Sequence, residues 1–175
     1  VFDAANRPAQ PALCTFFGGL RVYCGPKGLV GAPDALYRNE GNGHFTDVTR
    51  AAGIAAANRY YGLGTIPFDY DNDGDPDLFV ANDETPNVLF QNQGDGTFKD
   101  VGLIAGVAYN GDGDAEAGMG VDFGDYDNDG DPDLYVTHFF TETNTLYRNE
   151  GGTRFSDVTT TAGLAAPTVD LLGWG

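Results

Sequence analysis

Short apolar segments separated by Gly, Asn and Asp recur along this chain. DLFVAN (77–82) and DLYVTH (133–138) crowd Leu, Phe, Tyr and Val into six residues, the composition of a well-buried strand. Ahead of each runs a segment leaving a Gly-x-Gly, as in GMGVDFG, which predicts a strand entering an acidic loop. After each comes NVLFQN or NTLYRN, then a turn such as QGDG or EGNG, where Gly and Asn supply the positive φ of a tight hairpin. The short TFKDV or HFTDV follows as a fourth strand. VTRAAGI and VTTTAGL then predict one helical turn each, ended by Gly53 or Gly163.

These segments repeat. GLG, GMG and GWG begin at Gly62, Gly118 and Gly173, steps of 56 and 55 residues. Strand-three landmarks at Leu36, Leu89 and Leu146 are 53 and 57 apart. Four strands of meander per unit is the pattern of a propeller blade, so the expected fold class is all-β, with four-stranded antiparallel blades. The units read as a partial blade over 1–61, complete blades over 62–117 and 118–172, and the start of another at 173–175. Because propellers close with several blades, the chain reads as a segment of a larger ring. Its opening, VFDAANRPAQ, lacks an initiator Met and a basic, apolar leader, and reads as processed or excised from something longer.

DYDNDGDPD appears at 69–77 and again at 125–133. Asp69, Asp71, Asp73, Gly74 and Asp77 fill positions 1, 3, 5, 6 and 9 of a DxDxDGxxD pattern, as do Asp125, Asp127, Asp129, Gly130 and Asp133. Asp75 and Asp131 stand at position 7, where a backbone carbonyl would serve. Oxygen donors at alternating positions curl round one hard cation, with Gly at the sharp bend. Position 12 holds Val80 or Val136 rather than a bidentate Glu, so the loop joins strand to strand and is no helix–loop–helix site. Two Ca2+ sites are the expectation. Magnesium fits less well because it demands octahedral geometry with retained waters, and transition metals would want His or Cys. The opposing reading, a solvated Asx turn, is weakened by the second copy with every acid kept. Asp83, Asn87, Asp112, Asp114 and Glu116 have no repeat partner and are read as solvated surface. The linker Gly106–Glu116 is read as a surface loop.

The charge narrows the partners. Twenty-six acids against nine bases give −17, which argues against nucleic acid and anionic lipid. No run of about 18 apolar residues would span a membrane. Cys14 and Cys24 flank CTFFGGLRVYC, a spacing that closes a hairpin-like loop with a disulfide in an oxidising compartment; free thiols are the alternative, and His44 and His138 stand too isolated to make a zinc site with them.

DYDNDGDPDLFVAND followed by LFQNQGDGTFKDV resembles the FG-GAP/VCBS repeats of integrin α-subunit propellers. More closely, CTFFGGLRVYCGPKGLVGAPDALYRNEGNGHFTDVT, GMGVDFGDYDNDGDPDLYVTHF and TNTLYRNEGG resemble bacterial relatives of the cartilage acidic protein, the ASPIC/UnbV group. The resemblance implies a secreted, periplasmic or cell-surface propeller of seven or eight blades, stabilised by calcium. It places ligands at Asp69, Asp71, Asp73, Asp75 and Asp77, and at Asp125, Asp127, Asp129, Asp131 and Asp133.

Three functions compete. The first is a calcium-dependent structural or protein-interaction module with an unidentified protein partner and no catalysis. The second is a carbohydrate-active enzyme or glycan-binding propeller, which would need convergent acids or a His–acid pair at a funnel mouth. The third is an accessory subunit of a larger extracellular or membrane-bound complex, using rim aromatics such as Tyr60, Tyr61, Phe139 and Phe140; such aromatics also suit core or strand faces.

Overall fold

The structure, a computed structural model, describes residues 13–15, 17–26, 29–56 and 60–174. Two four-stranded antiparallel sheets dominate. In the first, β5 (Gly62–Phe68), β6 (Asp77–Asn82), β7 (Val88–Asn92) and β8 (Phe98–Asp100) pair in chain order. In the second, β9 (Gly118–Gly124), β10 (Asp133–His138), β11 (Thr145–Asn149) and β12 (Phe155–Asp157) do the same. Ahead of them, β3 (Tyr37–Asn39) and β4 (Phe45–Asp47) form a hairpin corresponding to the third and fourth strands of a sheet. β1 (Leu13–Thr15) and β2 (Arg21–Tyr23) form a separate hairpin closed by the Cys14–Cys24 disulfide. Residues 1–12, which include the opening VFDAANRPAQ, lie outside the described residues. The predicted all-β class, built from propeller-type four-stranded sheets, is what the chain forms.

The sheets stack face to face, and strand alternation decides what each side chain meets. In the first sheet, Phe79, Ala81 and Leu89 point to the following sheet, where they join Leu134, Val136, Tyr147 and Phe155 in the main core. Val80, Val88 and Phe90 point the other way, onto Ala52, Ile54 and the partly buried Leu36 and Val48 of the leading segment. A sheet covered on both faces needs apolar residues at consecutive positions. That is why DLFVAN departs from simple alternation.

After the fourth strand, the DVT motif makes a single turn. Asp157 Oδ1 accepts the Thr159 backbone N–H at 2.9 Å, and Thr159 Oγ1 accepts the Leu146 N–H of the third strand, also at 2.9 Å. Asp47 and Thr49 repeat the arrangement in the leading hairpin, and Asp100 caps Gly102 ahead of α1 (Gly102–Ala105). A second short helix, α2 (Ala165–Thr168), lies near the end of the chain.

The linker Gly106–Glu116 is exposed over 111–114, as read, and departs from the surface reading near its start. Val107 and Ala108 are buried, and their carbonyls accept from Asn87 Nδ2 and the Asn87 backbone N–H. Asn87 is itself buried, and it does have a repeat partner. Its Oδ1 accepts the Asn82 N–H at 3.0 Å, as Asn144 Oδ1 accepts the His138 N–H at 3.0 Å. Of the proposed rim aromatics, Tyr60 packs against the core beside Val80 and Phe90, while Tyr61 donates its hydroxyl to the Leu29 carbonyl at 2.7 Å. Phe139 lies partly exposed and Phe140 is half-buried.

Candidate metal centres

Both acidic loops join the first strand of a sheet to the second, and both are built alike. Asp69 caps the loop from inside, its carboxylate accepting the N–H of Asp73 at 3.1 Å and of Gly74 at 2.9 Å. Asp125 does the same for Asp129 and Gly130, at 3.1 Å each. The bend needs left-handed backbone at two positions: Gly74 and Gly130 have φ of 92° and 97°, and Asn72 and Asn128 have 57° and 62°. Asn is among the few residues with a side chain that adopt this region readily. The DNDG core therefore encodes the bend through its Asn as well as its Gly.

The ninth position anchors the loop to the sheet. Asp77 is fully buried; it accepts the N–H of Tyr70 at 3.1 Å and of Asn92, on the third strand, at 2.8 Å. Asp133 repeats both contacts with Tyr126 and Asn149, at 2.9 and 2.8 Å. Burial pushes the Asp77 carboxyl up to about 6 against these two N–H groups, and the charges of Asp71 and Asp73 push it the same way. Burial likewise raises Asp133.

Of the five acids in each loop, three converge. Ligand atoms of Asp69, Asp71 and Asp77 lie within 4.8 Å of one another, and so do those of Asp125, Asp127 and Asp133. The other carboxylates turn elsewhere: Asp73 Oδ1 accepts the Asp75 N–H at 2.8 Å, and Asp131 Oδ1 accepts Asn72 Nδ2 at 2.7 Å. The donor set fits a hard divalent cation, since every group is a carboxylate oxygen. A further sign is Asp71 Oδ1, which is buried yet has no hydrogen-bond partner, while Oδ2 accepts Gln91 Nε2 at 2.7 Å. A bound cation would satisfy that oxygen and relieve the repulsion among three carboxylates.

Several residues beyond the acids hold these loops. Asn149, buried in the second sheet, donates Nδ2 to the Tyr70 carbonyl of the first acidic loop at 2.7 Å and to Pro132 O at 3.2 Å; its Oδ1 accepts the Gly152 N–H at 2.8 Å. Gly152 sits so close to that loop that a Cβ there would lie 3.0 Å from Asp71 Cα. The sequence signal was available in the Asn that ends YRN, FQN and YRN in all three copies.

At the opposite end of the strands, Glu116 and His138 contradict the solvated and isolated readings. His138 is buried, with Nδ1 2.9 Å from the Thr143 carbonyl and Nε2 3.6 Å from Glu116 Oε2, which accepts Thr145 Oγ1 at 2.9 Å. Burial pushes Glu116 up to about 7, opposed by hydrogen bonds from Thr145 and Asn110, and burial drives His138 down to about 4. Both groups favour their neutral forms, so this contact is no ion pair. Burial also raises the half-buried Asp83, to about 6.

Among the described residues no helix is long and apolar enough to cross a membrane. The chain is similar to cartilage acidic protein 1 of Mus musculus, with 34% identity over 113 residues, covering 63% of this chain and 16% of that protein. With the Homo sapiens protein of the same name it shares 33% over 111 residues, covering 63% and 16%. The Xenopus tropicalis protein gives 36% over 95 residues, covering 51% and 13%. The chain thus matches no more than about a sixth of the length of these relatives. The model of the FG-GAP-like repeat matches residues 22–79 and 69–136, and the chain belongs to that repeat family.

Proposed function

We propose that this chain is a calcium-stabilised segment of an extracellular propeller, whose task is to present rim loops to a protein partner. Its units are the partial blade 1–61, the blades 62–117 and 118–172, and the start of another at 173–175. One observation carries the calcium reading: the same acid triad, Asp69/Asp71/Asp77 and Asp125/Asp127/Asp133, is assembled twice at the repeat period. Asp73 and Asp129, whose Oδ1 atoms accept loop N–H groups and leave Oδ2 to turn inward, and the backbone carbonyls of Asp75 and Asp131 would complete the ten-residue ligand set once an ion is bound. The ion ties the first strand of each sheet to the second and supplies electrostatic cross-linking rather than chemistry, so no catalytic residue is assigned. The Cys14–Cys24 disulfide supports an oxidising compartment, and the −17 charge supports cations and basic protein surfaces over nucleic acid.

The test is calorimetric titration of chelator-treated protein with CaCl2, paired with thermal melts. Two sites are expected, with Asp71→Asn and Asp127→Asn each removing one. A ligand that binds only the folded state raises the melting temperature by mass action. An identical melt in chelator and in millimolar calcium would refute the calcium reading. For the partner, capture on immobilised chain in calcium and in chelator should differ.

A further inference from the structure

The two acidic loops touch each other through the residues that shape them. Asn149 bonds to both. Its backbone N–H donates to Asp133 Oδ1 of the second triad at 2.8 Å, and its side-chain Nδ2 donates to the Tyr70 carbonyl of the first loop at 2.7 Å. The Tyr70 N–H donates in turn to Asp77 Oδ2 of the first triad at 3.1 Å. Only Tyr70 and Asn149 therefore separate a carboxylate of one triad from a carboxylate of the other. A second bridge lies at the surface, where Asn72, the left-handed residue of the first bend, donates Nδ2 to Asp131 Oδ1 of the second loop at 2.7 Å. The third contact is steric. Gly152, whose N–H donates to Asn149 Oδ1, lies where a Cβ would come 3.0 Å from Asp71 Cα, and the other two copies carry Asn42 and Asp95 at its place in the turn.

These contacts need both loops in their closed shape. Asp71, Asn72 and Tyr70 belong to the first loop, and Asp131 and Asp133 to the second. Carboxylates whose ligand atoms lie within 4.8 Å repel one another, so a cation favours the closed shape of the loop that binds it. A loop so fixed presents its half of each bridge, and its neighbour then closes at a smaller loss of freedom.

We propose that the two loops bind divalent cations with positive cooperativity, the first ion raising the affinity of the other loop through Asn149 and Asn72. The proposal rests on the calcium reading above and adds that neither loop is an independent site. Coupling is reciprocal, so each ion helps the other by one factor, here about tenfold. Charge acting through space works in the opposite sense. A filled second loop carries five carboxylates and one divalent ion, a net of −3, whereas an empty one with a single Asp replaced by Asn carries −4 and draws a cation to the first loop more strongly. The sign of the coupling thus separates the bridges from charge.

Isotope labelling of glycine lets each loop be followed in one NMR titration of chelator-treated protein with CaCl2, because the Gly74 and Gly130 amides donate to Asp69 and Asp125 inside the two bends. Asp127→Asn disables the second loop and Asp71→Asn the first, which also assigns the two signals. A coupling of about tenfold should move the Gly74 midpoint in Asp127→Asn, and the Gly130 midpoint in Asp71→Asn, to about threefold higher calcium when the sites are matched, the weaker site moving further when they are not. In an Asn72→Gly background, which keeps the left-handed bend and removes the surface bridge, that shift should shrink. In an Asn149→Ala background it should vanish. Asn72 is exposed, so its result decides the matter even where Asn149→Ala fails to fold. Midpoints that stay put or fall to lower calcium in the single-loop variants overturn the cooperativity and leave the calcium reading standing. A shift that survives unchanged in Asn72→Gly overturns the role given to the bridges. Amides that ignore calcium altogether overturn both readings.

Discussion

Replacing Asn149 by Ala should cost far more than the same change at Asn92, although the two occupy equivalent places. Asn149 is 1% exposed, and the substitution removes its bonds to the Tyr70 carbonyl, the Pro132 carbonyl and the Gly152 N–H. Each buried hydrogen bond contributes about 1 kcal/mol net, and a stranded buried acceptor adds about 1 kcal/mol or more, so the expected loss is about 3–4 kcal/mol. Asn92 accepts from Gly94 and donates to Pro76 O, both at 3.1 Å and open to water that replaces them, which implies about 1 kcal/mol. The difference of about 2–3 kcal/mol belongs to the bond that crosses from one sheet to the other acidic loop and to the exclusion of water from its neighbours. Urea unfolding in saturating calcium, followed by far-ultraviolet circular dichroism, measures it as a shift in midpoint at constant slope. Trp174 is too exposed to report the core. Equal losses at the two positions would refute the idea that Asn149 locks the sheets together.

Three further outcomes follow from burial and charge. Phe79→Ala, at the centre of the inter-sheet core, should cost about 3–5 kcal/mol by urea denaturation, whereas Phe45→Ala at 61% exposure should cost less than about 1 kcal/mol. Reducing Cys14–Cys24 or replacing Cys14 by Ser should release about 3 kcal/mol of loop constraint for a sequence separation of ten, seen as faster hydrogen exchange confined to the β1–β2 hairpin. The Glu116–His138 pair predicts opposing pH slopes. Glu116, raised from 4.5 to about 7, favours the fold below 4.5 and loses that contribution as pH rises through 7; His138, lowered from 6.5 to about 4, favours it above 6.5 and loses that as pH falls through 4. The two offset each other between about 4.5 and 6.5. Relative to the wild type, His138→Asn should therefore lose stability as pH rises across that window and Glu116→Gln should gain it; wild-type profiles in both would contradict the linkage.

The strands and acidic loops could be read from the chain because their determinants are local. DLFVAN declares a strand covered on both faces through consecutive apolar residues, and DxDxDG spaces its own bend. What escaped depends on contacts between distant positions. Asn87 and Asn144 do the same job, but the loop ahead of Asn144 is one residue longer, which hid their correspondence. Glu116 looked solvated because Thr145 and His138, which bury it, arrive from a later part of the chain. Five acids per loop were legible; which three converge was not. That choice depends on local N–H groups drawing Asp73 and Asp129 aside and on Asn72 reaching Asp131 across 59 residues.

The alternating faces also bear on how such a chain can change over generations. Because Phe79 and Leu89 pack against Leu134 and Tyr147, the residue that must answer a mutation in one repeat lies about one repeat further along, rather than on the neighbouring strand alone. A duplicated repeat keeps its parent's contacts at the two outer faces, but the junction between parent and copy pairs faces that had not met before. Once copies diverge, they are held to one another in adjacent pairs, and shuffling their order would break every pair at once.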